Sequence, residues 1–220
     1  MKGLVYKDLI AFKSTIKAML FMMLLYIVLG VMSGDGTVLY VTMAVVFTMM
    51  VPLTCAAYDE QCGWDLFGNS LPVSRAKTVI ARYMTGIIVT LCVMLVIAAA
   101  QLIGLLINHT SINFYYFIVI IAVSQLIHAI MNPIIYKFGA QKSRFVMMAV
   151  FLVPSLLVLI MTCILPVSAR DWFIEYLDTF VSTMQHIPAT AIALIALLIS
   201  TAVYVISIFI SISIYKKKDF

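Results

Sequence analysis

The stretch "MTGIIVTLCVMLVIAAAQLIGLLI", residues 84–107, contains no charged side chain. An α-helix needs about 20 apolar residues to cross the hydrocarbon core of a bilayer. Because lipid offers no hydrogen bonds, the backbone groups of such a run have to pair with each other, as they do in a helix. This stretch therefore predicts a membrane-spanning α-helix.

The composition of the whole chain is that of a membrane protein. Hydrophobic residues make up 65% of its 220 residues, against about 45–50% in soluble domains. Six apolar runs are predicted to span the membrane: residues 18–33, 38–57, 84–107, 112–136, 145–166 and 189–214. The alternating ten-residue segments of a membrane β-barrel are absent from the sequence. The predicted fold class is an all-α membrane protein with six transmembrane helices.

The basic residues predict the orientation of these spans. With the N-terminus in the cytoplasm, 13 of the 14 Lys and Arg residues lie on the cytoplasmic side, and only Arg170 lies outside. This distribution follows the positive-inside rule and places both termini in the cytoplasm. The predicted location of the chain is the plasma membrane. A cleaved signal peptide is the alternative, but "VMSGDG", residues 31–36, offers no A-x-A-like cleavage site. The basic residues form no continuous patch, so no nucleic-acid partner is predicted.

Residues 1–17 are predicted to form an interfacial helix before the first span. Val5, Leu9, Phe12 and Ile16 fall on one face, whereas the lysines project elsewhere. A basic amphipathic helix suits the anionic inner leaflet. The alternative is a charged extension of the first span.

The remaining residues, 18–220, are predicted to form one transmembrane domain. It includes a cytoplasmic loop at 58–82 and an outer amphipathic segment at 167–188, in which acidic residues face away from Trp172 and Tyr176. The outer segment is either an anchoring helix with its aromatic residues at the interface or a lid over an exit path.

The cytoplasmic loop, "YDEQCGWDLFGNSLPVSRAKTVIAR", concentrates charge and aromatic side chains. Asp59 and Glu60 are predicted to begin a short helix, because acidic residues favour a helix N-terminus. Exposed Trp, Phe and Arg are typical anchors for a partner protein, although Trp64 and Phe67 could instead lie among lipid headgroups. Ser74 is predicted to cap a helix that begins at Arg75. The predicted partner-binding residues are Asp59, Glu60, Trp64, Phe67, Leu71, Pro72, Ser74 and Arg75.

No catalytic or metal site is predicted in this chain. "GWDLFGNS", residues 63–70, is one residue away from a phosphate-binding loop, but Asn69 stands where the lysine is required and no strand precedes it. The four cysteines show no metal-binding spacing.

The chain resembles the permease subunits of ABC-2 type exporters. The resemblance rests on "MKGLVYKDL" at the N-terminus, on Asp59-Glu60…Trp64…Leu71-Pro72-x-Ser74-Arg75, and on "ARY" before the third span. Within that group it is similar to small bacterial permeases like the phenol-soluble-modulin exporter. The resemblance implies a coupling helix in the first inner loop, a separate ATPase subunit that binds ATP and Mg, and a second permease copy, with a homodimer expected. It also implies amphipathic peptide cargo, such as toxins or antimicrobial peptides.

Polar residues within the spans have two interpretations. Gln101, Gln125, His128 and Ser207 are predicted to line a substrate path, or else to form helix–helix hydrogen bonds. The central turns of the spans hold no Asp, Glu, Lys or Arg, which argues against a proton- or sodium-driven transporter. The alternatives to an exporter remain a stand-alone channel or secondary transporter, and a membrane protein that recruits a cytosolic partner.

Overall fold

A computed structural model describes residues 2–13, 15–32, 36–64, 67–68, 74–108, 115–163 and 188–217. Six helices account for nearly all of these residues: α1 (Lys2–Phe12), α2 (Ile16–Met32), α3 (Thr37–Gln61), α4 (Arg75–Asn108), α5 (Tyr115–Cys163) and α6 (Ala189–Lys216). The all-α prediction is thereby confirmed for the part of the chain that the structure describes.

Four of the described helices are long and apolar enough to cross a membrane. These segments are Leu39–Gln61, Arg75–Ile107, Tyr116–Val146 and Ala189–Lys216, which correspond to the second, third, fourth and sixth predicted spans. The first predicted span matches α2, whose 17 residues fall short of that length. The fifth predicted span, residues 145–166, falls largely within the second part of α5. The outer amphipathic segment at 167–188 lies, apart from Pro188, outside the described residues.

The segment "YKFGAQKSR", residues 136–144, is expected to separate the fourth span from the fifth, and the structure separates them by a kink within one long helix rather than by a long loop. The helix continues through it with a break at Gly139, where φ is 81° and ψ is 172°. That backbone conformation is essentially restricted to glycine. Helix α5 therefore consists of two parts, residues 115–138 and 140–163, which join at a kink rather than at a loop.

The N-terminal segment also differs from its prediction as one helix over residues 1–17. Helix α1 ends at Phe12, and α2 begins at Ile16. Helix α1 packs against α3 and α4, and its Asp8 is buried. It is therefore part of the helical bundle.

Helix α5 lies at the centre of the bundle and packs against α3 and α6. An apolar cluster joins Met43 and Phe47 of α3 to Ile97 of α4 and Ile120 of α5. The outward faces of α2, α4 and α6 remain apolar; Leu106 and Leu198, for example, are 79% and 72% exposed. Such surfaces suit a lipid solvent, whereas water would disfavour them.

Candidate functional site

The candidate site lies at the end of the bundle that carries α1. Asp59 and Glu60 occupy the last turn of α3, so the prediction that they begin a helix is wrong. Carboxylates at a helix C-terminus are disfavoured by the helix dipole. Both therefore need compensating partners, and the structure supplies them from other helices.

Four charged side chains form a closed network, here named the four-charge cluster: Lys7, Asp8, Asp59 and Arg82. The Lys7 Nζ lies 2.6 Å from Asp59 Oδ1 and 3.2 Å from Asp8 Oδ1. The Arg82 Nε lies 3.2 Å from Asp8 Oδ2, and its Nη2 donates to Asp59 Oδ2. Asp8 and Arg82 are only 3% and 7% exposed. Because two cations meet two anions, the burial of these charges is compensated, and α1, α3 and α4 are tied together.

The four-charge cluster continues into the aromatic residues of the predicted partner-binding loop. Lys7 Nζ lies 4.2 Å from the ring centroid of Trp64, which is within cation–π distance. The rings of Trp64 and Phe67 have their centroids 5.7 Å apart. Trp64 is half-buried, whereas Phe67 is 58% exposed. An exposed aromatic side chain is thus connected to the buried charges through one tryptophan. Leu71 and Pro72 lie outside the described residues.

The start of α4 is where the sequence predicts it. The helix begins at Arg75, and the carbonyl of Ser74 accepts the N–H of Lys77 at 2.9 Å. Arg75 Nη1 donates to the carbonyl of Lys216 at 2.9 Å. A cation at the C-terminal end of α6 also suits the dipole of that helix. Arg75 thereby joins the start of α4 to the end of α6.

Glu60 joins the end of α3 to the break in α5. Its Oε1 accepts a hydrogen bond from the N–H of Ala140, the first residue after Gly139. The break removes the helical partner of that N–H, and the carboxylate replaces it in the manner of an N-cap. In addition, the Ser143 hydroxyl donates to the carbonyl of Gly139. The last turn of α3 therefore contacts α1 and α4 through Asp59, and the second part of α5 through Glu60.

Replacing Gly139 with alanine is expected to lower the free energy of unfolding by about 1–3 kcal/mol, since only glycine adopts this backbone conformation without strain. The new Cβ would also lie 2.6 Å from Glu60 Oε1 and would displace the cap. Thermal unfolding in detergent measures the effect. Gly63→Ala is the matched control, because Gly63 also has a positive φ, of 61°, but a Cβ there meets nothing within 4 Å. Equal destabilisation by both substitutions would contradict the role of the Glu60 cap.

Two of the residues predicted to line a path take part in helix packing. Gln125 Oε1 accepts hydrogen bonds from Ser200 at 2.9 Å and from Thr201 at 3.0 Å. The Ser207 hydroxyl donates to the carbonyl of Ala129 at 2.6 Å and lies 2.7 Å from the Tyr83 hydroxyl. Gln125 and Ser207 therefore hold α6 against α5 and α4.

The other two residues carry buried polar atoms without a hydrogen-bond partner in the part of the chain that the structure describes. His128 is 2% exposed and lies against Gly86 of α4, where a Cβ would be only 2.7 Å from its Nε2. The Oε1 of Gln101 is buried and has no hydrogen-bond partner among the described residues. A role of all four side chains in a substrate path stays a prediction.

Sequence reasoning missed the four-charge cluster as a structural unit. It used Lys7 and Arg82 only as markers of topology, and it gave Asp8 no role. A signal was available, because Asp8 is the one acidic residue among the first 34. An acidic residue isolated in a basic segment next to a membrane span suggests a specific cationic partner.

Together, these features define a helical, multi-pass membrane protein in which the end of α3 and the start of α4 are tied to α1, α5 and α6. A family model described as "ABC-2 family transporter protein" matches residues 3–216. The chain therefore belongs to the ABC-2 transporter family and is a membrane component of that kind. No curated protein and no solved structure matches it significantly.

Proposed function

We propose that the chain is the transmembrane permease subunit of an ATP-driven exporter, coupled through residues 58–82 to a separate ATPase subunit that binds ATP and Mg. Membership of the ABC-2 family supports the permease role. One structural observation carries the coupling: Trp64 contacts Lys7 of the four-charge cluster, which holds α1, α3 and α4 together. A force applied at Trp64 and Phe67 therefore acts on three helices at once.

The break at Gly139 extends this coupling to α5. When the end of α3 moves, Glu60 moves with it and pulls on the N–H of Ala140. Because Gly139 interrupts the helix, the second part of α5 can change its angle while the first part stays packed. ATP binding in the partner subunit and cargo binding in the membrane would then bias the same two-state element, as alternating access requires.

The finer assignments extend the sequence analysis. We place six spans within residues 18–220, helix α1 at the inner membrane interface, an outer segment at 167–188 and both termini in the cytoplasm of a bacterial cell. Two permease copies form a homodimer. In this scheme Gln101, Gln125, His128 and Ser207 line a path after α5 parts from α4 and α6. Gln125, His128 and Ser207 now lie at the contacts between these helices.

The proposed cargo is an amphipathic or hydrophobic peptide. The resemblance to the phenol-soluble-modulin exporter group supports peptides in particular. The chain has 15 methionines, whose flexible side chains adapt to varied apolar surfaces. Charged residues make up only 10% of the chain.

Co-purification followed by reconstitution tests this function. The chain is expressed with a cytosolic ABC ATPase from the same genome, purified and placed in liposomes, and ATP hydrolysis is measured with and without an amphipathic helical peptide. We expect a stable complex and a several-fold increase in hydrolysis with the peptide. If the complex forms but its rate of ATP hydrolysis is unchanged by the peptide, the chain is instead a membrane protein that recruits the ATPase. Proton-driven flux by the isolated chain would overturn the proposal in favour of a secondary transporter.

A further inference from the structure

A column of polar side chains runs along the buried face of α5. His128, Asn132 and Tyr136 are four residues apart, so they lie on one face of the helix over about 12 Å of its length. His128 and Asn132 are 2% and 1% exposed. The column begins at the α1 end of the bundle with Tyr136 and extends into the membrane-spanning part of α5.

The polar atoms of this column lack partners. Among the described residues, neither ring nitrogen of His128, neither amide atom of Asn132, nor the hydroxyl of Tyr136 makes a hydrogen bond of good geometry, although Asn132 lies near the Tyr83 hydroxyl and His128 near the Gly86 backbone. Leaving a buried donor or acceptor unpaired costs the full loss of its hydration. Native proteins seldom carry several such groups side by side, and where they do, ordered water commonly supplies the partners.

The opposite wall of the column is polar as well. The Tyr83 hydroxyl lies beside Asn132 and hydrogen-bonds with Ser207 at 2.7 Å and Ser211 at 2.8 Å. Each hydroxyl has one donor and two acceptor positions, so this wall retains acceptor capacity for a further donor. Water between α5 and this wall would therefore find the several polar partners that a stable buried water needs.

A cavity opens at the end of the column near the four-charge cluster. It is lined by Asp59, Glu60, Arg82 and Tyr136, among others, and its volume is about 40 Å³. That volume is enough for water, which needs at least about 10–15 Å³. Deeper in the bundle, His128 packs tightly against Gly86. The column ends at Ser124, whose hydroxyl lies 3.2 Å from the hydroxyl of Thr48. The cavity is thus lined as deep as Tyr136, and the bundle is tightly packed at His128.

We propose that this cavity is the mouth of a water-filled inlet within a single subunit, which reaches Asn132 in the packed state and His128 when α4 and α5 separate at Gly86. The ligand of the inlet is water. The inlet is walled by α3, α4, α5 and α6 of one chain, so it does not require a second copy of the protein. It also does not depend on the proposed export function.

Cysteine accessibility tests the inlet. Asn132→Cys and Met131→Cys are made in a chain without its own cysteines. Met131 is the matched control, since it lies at the same depth and is 3% exposed but packs against apolar residues of α3. Thiol reagents attack the thiolate, which forms in water and is suppressed in apolar surroundings. We therefore expect a small water-soluble thiol reagent to modify the Asn132→Cys variant about tenfold faster than the Met131→Cys variant, or more. Equal rates in the two variants would overturn the inlet.

A measurement on the unmodified chain covers the case in which Asn132→Cys fails to fold. Hydroxyl radicals generated from water by X-rays oxidise side chains that lie next to water. Tyr83 is 1% exposed and Tyr40 is 5% exposed, but Tyr40 lies in an apolar cluster. The inlet predicts faster oxidation of Tyr83, although it is the more buried of the two. Faster oxidation of Tyr40, or equal rates, would contradict the inlet.

Discussion

Arg82→Met is expected to destabilise the protein by about 3–5 kcal/mol, the cost of removing one partner from a buried ion pair. The substitution leaves Asp8, which is 3% exposed, and Asp59 with only Lys7 to compensate two carboxylates. Methionine is chosen because it retains the apolar length of the side chain. The midpoint of thermal unfolding in detergent measures the loss.

Two further variants distinguish charge burial from a general effect of removing an arginine. Arg75→Met removes a cation from the first turn of the same helix, where its hydrogen bond to Lys216 is exposed, so a shift of less than about 1 kcal/mol is expected. Arg82→Met combined with Asp8→Asn leaves the neutral pair of Lys7 and Asp59, and it should recover much of the lost stability. The role of the four-charge cluster would be refuted if Arg82→Met were as stable as Arg75→Met.

The second large effect is expected at the partner-binding loop. Replacing Trp64 and Phe67 together with alanine should weaken ATPase binding about 30-fold or more, since central aromatic anchors contribute at least about 2 kcal/mol and about 1.4 kcal/mol is a factor of ten. Phe67 is 58% exposed, so more than half of its surface is available to a pocket on the partner. Titration of the purified ATPase onto the detergent-solubilised chain measures the dissociation constant.

Phe209→Ala serves as the control for this pair. Phe209 is 69% exposed but lies within the apolar stretch of α6, where lipid is its expected neighbour. ATPase affinity should therefore stay unchanged in that variant. If the Trp64 and Phe67 variant also binds the ATPase normally, these side chains are headgroup anchors and the coupling contact lies elsewhere.

The sequence predicts the long helices well, because the choice of solvent dominates their formation. A run such as residues 84–107 has no means of satisfying its backbone in lipid except a helix, and α4 contains all of it. The start of α4 at Arg75, directly after Ser74, was also predictable, whereas a cap by the Ser74 side chain stays a prediction. Helix α2 also lies where the sequence places the first span, but its 17 residues are fewer than the about 20 that a full span needs, so this span stays a prediction.

The site could be predicted only in part, because its contacts join distant parts of the chain. Lys7 and Asp59 are 52 positions apart, and Glu60 and Ala140 are 80 positions apart. Periodicity within one helix carries no information about such pairs. The polar residues around Gly139 predict a separation between two spans, but not its form. The sequence gives no indication that a carboxylate from α3 replaces the missing helical hydrogen bond and allows the helix to resume.

The central claim is that the loop at residues 58–82 faces the cytosol, and the native Cys62 tests it directly. Cys62 is exposed and lies two residues before Trp64. In a chain that retains only this cysteine, a membrane-impermeant maleimide is applied to intact cells and to inverted vesicles. The account predicts labelling of the inverted vesicles and protection in intact cells. Labelling of intact cells would place Trp64 and Phe67 outside, beyond the reach of any ATPase, and would contradict the account.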